Sequence, residues 1–179
     1  MLSGILWINL LGFVGYTLFI LAPLAKSRPV FLTMDAVGMV PIAIHYVLLG
    51  APAGAALSLI YALADVAVPL ARRPLHMRAA QAGLFLCAIA VTLFFWSGPR
   101  ELLSLAGTAL VILSRGTGNY RLLLIIVLIS TIFWGSYGLL TGSYSQLVFS
   151  TLYVITCLWR LARPPQKRML GSMPPHQSS

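Results

Sequence analysis

Three carboxylates occur in the chain, and one of them, Asp65, lies where an acid does chemistry, inside an apolar run from Ala53 to Ala71. An ionisable side chain in hydrocarbon costs several kcal/mol unless it is paired or hydrated, so it marks a site by default. Pro69 follows four residues later and has no N–H for the Asp65 carbonyl, so a kink is expected there. A carboxylate beside an unpaired carbonyl takes up a proton, a cation or a substrate donor. The competing reading has Asp65 reach Arg72, seven residues on along the same helix face, and neutralise it.

His45 stands four residues after Pro41, so ring and kink face the same way, and Ser58 and Tyr61, three apart, share one helix face. Either these groups line a wet cleft, or His45 holds a single hydrogen-bond partner while Ser58 and Tyr61 join helices. Asn9, Ser130, Thr131 and Gln146 are lone polar groups that helix packing explains. Asp35 and Glu101 read as acids in the first turns of their helices, balanced by Lys26 and Arg28 or by Arg100.

The elements that carry these residues are membrane spans. Of 179 residues 59% are hydrophobic and 8% charged, with a mean hydropathy of +0.92 and a net charge of +9. This composition excludes a soluble domain, and it describes apolar segments joined by basic loops rather than a nucleic-acid binder. Cys87 and Cys157 both sit in apolar runs, so no disulfide framework is expected. Apolar stretches cover 5–24, 31–49, 53–71, 79–96, 102–114, 122–140 and 146–159. They are continuous rather than alternating, which selects helices over a barrel and gives an all-α membrane protein of seven transmembrane helices.

The first run has nothing basic before it, and a cut after Ala25 would put Pro23 where a small residue is needed, so it reads as a retained span. The fifth run is short. Starting it at Pro99 gives about 25 Å by Arg115, enough for a tilted or thinned crossing. Charge placement supports the odd count: with the N-terminus outside, eleven of the twelve basic residues, Arg115 and Arg121 among them, fall on the cytoplasmic side and only Arg100 outside. Trp7, Trp96 and Trp159 fall near the interfaces, whereas Trp134 lies deeper.

Shifting the second and third spans by 92 residues pairs Gly50 with Gly142, Ser58 with Ser150 and Tyr61 with Tyr153. Two three-helix units share an orientation only if an odd number of spans separates them, and the fourth supplies it. The expected organisation is thus 3+1+3 within a single domain over 1–162: a bundle over 5–71, a linker helix over 79–96 and a second bundle over 99–160. A basic, proline-rich cytoplasmic tail over 163–179 is expected to be disordered near anionic headgroups. The substrate-pathway candidates are His45, Ser58, Tyr61, Asp65, Ser150 and Tyr153, with Pro41 and Pro69 as kinks.

The stretch His45-Tyr46 through Leu48-Leu49-Gly50 to Pro52-Ala53-Gly54-Ala55 resembles the bacterial inner-membrane YgjV family. So do Glu101-Leu102-Leu103 followed by Gly107-Thr108, Ser130-Thr131 with Trp134, and the Trp159-Arg160 ending of the last span. The resemblance covers nearly the whole chain. It implies an inner-membrane protein of unassigned activity whose layout is similar to the SWEET and PQ-loop transporters. Two departures argue against sugar as the solute: the third span has no asparagine, and none of the spans carries the proline-glutamine pair that names the PQ-loop group.

A retinal receptor is excluded because the only lysines, Lys26 and Lys167, lie in loops. Enzyme chemistry would need His45 and Asp65 together, and the topology sets them about 14 Å apart in depth. No catalytic residue, metal or cofactor is therefore expected. Transport of a small solute is the leading expectation, and a structural or accessory membrane protein is the alternative. The lipid bilayer and an unknown small solute are the expected partners, and the resemblance in layout implies a homodimer as a further one.

Overall fold

The computed structural model describes residues 2–71 and 73–163, with side chains from Trp7 onward. Arg72 and the proposed tail from Pro164, with Lys167 and Arg168, lie outside the described residues. Seven α-helices run in order: α1 (Leu2–Leu21), α2 (Arg28–Leu48), α3 (Pro52–Leu70), α4 (Pro74–Phe94), α5 (Glu101–Arg115), α6 (Tyr120–Thr141) and α7 (Tyr144–Ala162). No strand occurs among the described residues. Six of the helices are long and apolar enough to cross a membrane, and the fifteen-residue α5 is the short one.

Local chemistry sets these boundaries. Proline stands in the first turns of α2, α3 and α4, where its missing N–H costs nothing. Asn119 caps α6 by accepting from the backbone N–H groups of Arg121 and Leu122, and Ser143 caps α7 by accepting from that of Gln146. Gly50 after α2 and Gly142 after α6 take φ of 69° and 75°, which a residue with a Cβ rarely adopts. α5 begins at Glu101 rather than at Pro99, because Pro99 and Arg100 form the turn that precedes it. Pro69 comes one residue before the end of α3, while α2 continues through Pro41.

Packing proceeds around a ring: α1 lies on α2, α2 on α3, α3 on α5, α5 on α6, α6 on α7, and α7 returns to α1. α4 lies outside this ring against α3 and α5, and buries only Ala88 and Thr92. Glycines allow the closest approaches. A Cβ on Gly15 would lie 2.8 Å from the Gly38 carbonyl oxygen of α2, and the Ser130 hydroxyl of α6 donates to the Gly107 carbonyl of α5 at 2.8 Å. Trp7, Trp96 and Trp159 are exposed near helix ends, whereas Trp134 is buried.

Candidate functional site

At the end of the bundle where α2 begins and α3 and α5 stop, a buried ionic cluster joins three helices. Arg115, the last residue of α5, is 1% exposed. Its Nη2 donates to Asp35 Oδ2 at 2.5 Å, and its Nε pairs with Asp65 Oδ1. Tyr61 donates its hydroxyl proton to the same Asp35 oxygen at 3.0 Å. Phe31 and Tyr61 present their rings to the guanidinium, each centroid 5.3 Å from Cζ. Arg28, half-buried, donates to the Arg115 carbonyl at 2.6 Å and so satisfies a helix-end oxygen that would otherwise be orphaned. Asp35 Oδ1 and Asp65 Oδ2 are buried without a hydrogen bond. A groove of about 520 Å³ opens beside the cluster, bounded by Arg28, Asp65, Pro69, Met77, Arg115 and Gly118.

The bundle centre holds a void of about 20 Å³, on the order of one water molecule. Its walls carry hydroxyl, amide and indole groups from four helices of the ring: Tyr16 on α1, Ser58 and Tyr61 on α3, Ser130, Thr131 and Trp134 on α6, and Gln146 on α7, with apolar Met39 and Ile42 from α2. The Trp134 Nε1 has no hydrogen-bond partner.

A neutral polar network closes the opposite end. His45 Nδ1 donates to the Ile8 carbonyl at 2.8 Å, and Nε2 meets the hydroxyls of Ser143 at 2.8 Å and Ser145 at 3.2 Å. Gln146 Oε1 accepts from the hydroxyls of Tyr16 and of Tyr46, the latter at 3.1 Å, and its Nε2 donates to Ser150 at 2.8 Å. Asn9 accepts from the Ser145 backbone N–H at 3.1 Å. Gly12 makes room for the imidazole, since a Cβ there would stand 3.1 Å from Nδ1.

The six pathway candidates are therefore divided among three places. Asp65 belongs to the ionic cluster, and Tyr61 spans the cluster and the central void. Ser58 faces the void, and His45 and Ser150 belong to the neutral network. Tyr153 packs behind the void, stacked on its wall residue Phe19 with centroids 4.4 Å apart, and Tyr61 meets the same ring edge-on at 6.0 Å.

The family model described as a bacterial inner membrane protein, Imp-YgjV, matches residues 6–168. The chain belongs to the Imp-YgjV family. This Imp-YgjV protein is accordingly a multi-pass protein of the bacterial inner membrane. No curated protein and no solved structure matches it.

Sequence reasoning left out the central residue of the ionic cluster in this Imp-YgjV chain. Arg115 was expected to be a loop cation, and it is a buried helix end. Asp35 was placed in a first turn beside Lys26 and Arg28. α2 starts at Arg28, so Asp35 is its eighth residue, fully buried and paired with Arg115. The charge inventory held the signal: two acids of adjacent helices lie at similar depth, about 10 Å and 8 Å from their helix ends, and require a cation at that depth. Glu101 does pair with Arg100, at 3.2 Å, and accepts from Ser97 at 2.6 Å.

Proposed function

We propose that this inner-membrane protein carries a small polar solute, by exposing a central site to one face of the membrane and then to the other. The supporting observation is the convergence of Tyr16, Ser58, Tyr61, Ser130, Thr131 and Gln146 on one void at the centre of the helix ring. A few hydroxyl and amide groups converging on a cavity fix a polar ligand there, whereas the exposed hydroxyls of Thr17, Ser136 and Thr151 bond back to their own helices. Polar contacts between helices distant in sequence close both ends: Arg115 with Asp35 and Asp65 at one, His45 and Tyr46 with Ser143 and Gln146 at the other. Closures of this kind open and shut by rigid movement of one unit against the other.

Equivalent contacts support two three-helix units in parallel with α4 as the linker. Gly15 against Gly38 and Gly107 against Ser130 are the same helix contact displaced by 92 residues, and Gly50 and Gly142 are two left-handed turns displaced equally. The excess of cations at the end of the ionic cluster supports a reading in which that end faces the cytoplasm and the N-terminus lies outside. We propose no chemical step, since His45 and Asp65 lie in separate clusters at opposite ends of the bundle.

The test compares metabolite profiles of a deletion strain and an overexpressing strain, followed by flux in vesicles for each solute that changes. Flux that Ser58→Leu blocks by filling the void supports the proposal. Absence of any differing solute, or flux unaltered by Ser58→Leu, assigns the chain to the accessory class.

A further inference from the structure

The geometry points to a site for one exchangeable proton in the Asp35–Arg115–Asp65 cluster, reached from the groove beside Asp65. Two carboxylates face one guanidinium, so the buried trio is one positive charge short of neutrality. The remaining acceptors, Asp35 Oδ1 and Asp65 Oδ2, have no hydrogen-bond partner and lie out of reach of a water-sized sphere. Burying an unbalanced charge away from water is costly, and a counter-charge removes that cost. A metal ion does not fit, because hard cations need six or more oxygens and room for them. A proton needs one oxygen and almost no volume.

The surroundings agree with this reading. Arg28 on α2 gives its hydrogen bond to the Arg115 carbonyl and not to either acid. Tyr61 on α3 donates to Asp35. Tyr120 on α6 and Tyr153 and Cys157 on α7 stand near Asp35 and carry no positive charge, and Arg160 on α7 faces the Tyr120 hydroxyl while the ion pairs of both acids are with Arg115. α4 contributes Met77 to the groove wall, while its His76 and Arg78 are exposed. No second cation among these neighbours pairs with the trio. The groove is bounded by Asp65, Arg115 and Arg28, so the Asp65 side of the cluster is the one nearest solvent.

The site does not depend on solute transport, and its test measures protonation alone. The full chain is made by cell-free synthesis with its two aspartates carrying carbon-13 in the side-chain carboxyl, reconstituted in lipid vesicles, and titrated by infrared difference spectroscopy. Asp35 and Asp65 are the only aspartates, and Glu101 the only glutamate. The expected result is a protonated-carboxyl stretch that is lost between mildly acidic and mildly alkaline buffer and moves to lower frequency on labelling. The band is lost in Asp65→Asn and kept in Glu101→Gln. Absence of a titrating band, a band unmoved by the aspartate label, or its removal by sodium at fixed pH would overturn the proposal. The labelled wild-type protein decides the matter if Asp65→Asn does not fold.

Discussion

Arg115 and Asp35 lie eighty residues apart in the sequence and meet at 2.5 Å, with both side chains fully buried. The contact ties the end of α5 to the interior of α2, and Asp65 extends it to α3. Removing one member of such a set leaves an uncompensated charge, which typically costs about 3–5 kcal/mol. Arg115→Gln is therefore expected to lower the thermal unfolding midpoint in detergent strongly. Combining it with Asp35→Asn should cost less than the two single changes summed. Additive losses would show that the two side chains are not coupled.

His45 fixes the opposite end by joining α1 and the start of α7 to α2. His45→Ala strips partners from the Ile8 carbonyl and the Ser143 hydroxyl, a loss of about 1–3 kcal/mol for buried groups. Its unfolding midpoint should fall, and adding Ser145→Ala, which removes the second hydroxyl on Nε2, should lower it little further. A His45→Ala protein as stable as the parent would remove this network from the account.

Gly15 permits the closest crossing of α1 and α2. Gly15→Ala would put a methyl 2.8 Å from the Gly38 carbonyl oxygen and from Pro41, so the helices must separate, at a cost of about 1–3 kcal/mol. Gly83→Ala on α4 meets nothing within 4 Å and serves as the control. Stability measurements should separate the two variants clearly, and equal behaviour would contradict the crossing.

Hydropathy located all seven helices because lipid demands long continuous apolar runs and gives the backbone no other way to satisfy its hydrogen bonds. α5 was legible through Pro99 and the charge count, although its first turn starts two residues later. The polar residues were legible as a set, but their grouping was not. Asp65, Ser58 and His45 lie on helices whose rotation is set by neighbours such as Gly15, Gly38 and Gly107, and spacing within one helix does not reveal which helix it faces. Arg115 was the hardest to place. A cation at the end of an apolar run reads as a loop anchor, and only the packing of α5 on α3 shows that it is enclosed.

The account rests on α5 crossing the bilayer, since only then does Arg115 stand at the depth of Asp35 and Asp65. Gly98 and Gly118 flank this helix in open space, where inserted reporters disturb no contact. Alkaline phosphatase and green fluorescent protein inserted at each glycine report the two faces. Phosphatase activity at Gly98 and fluorescence at Gly118 are the expected results. Both glycines on one face would contradict the crossing and the ionic cluster built on it.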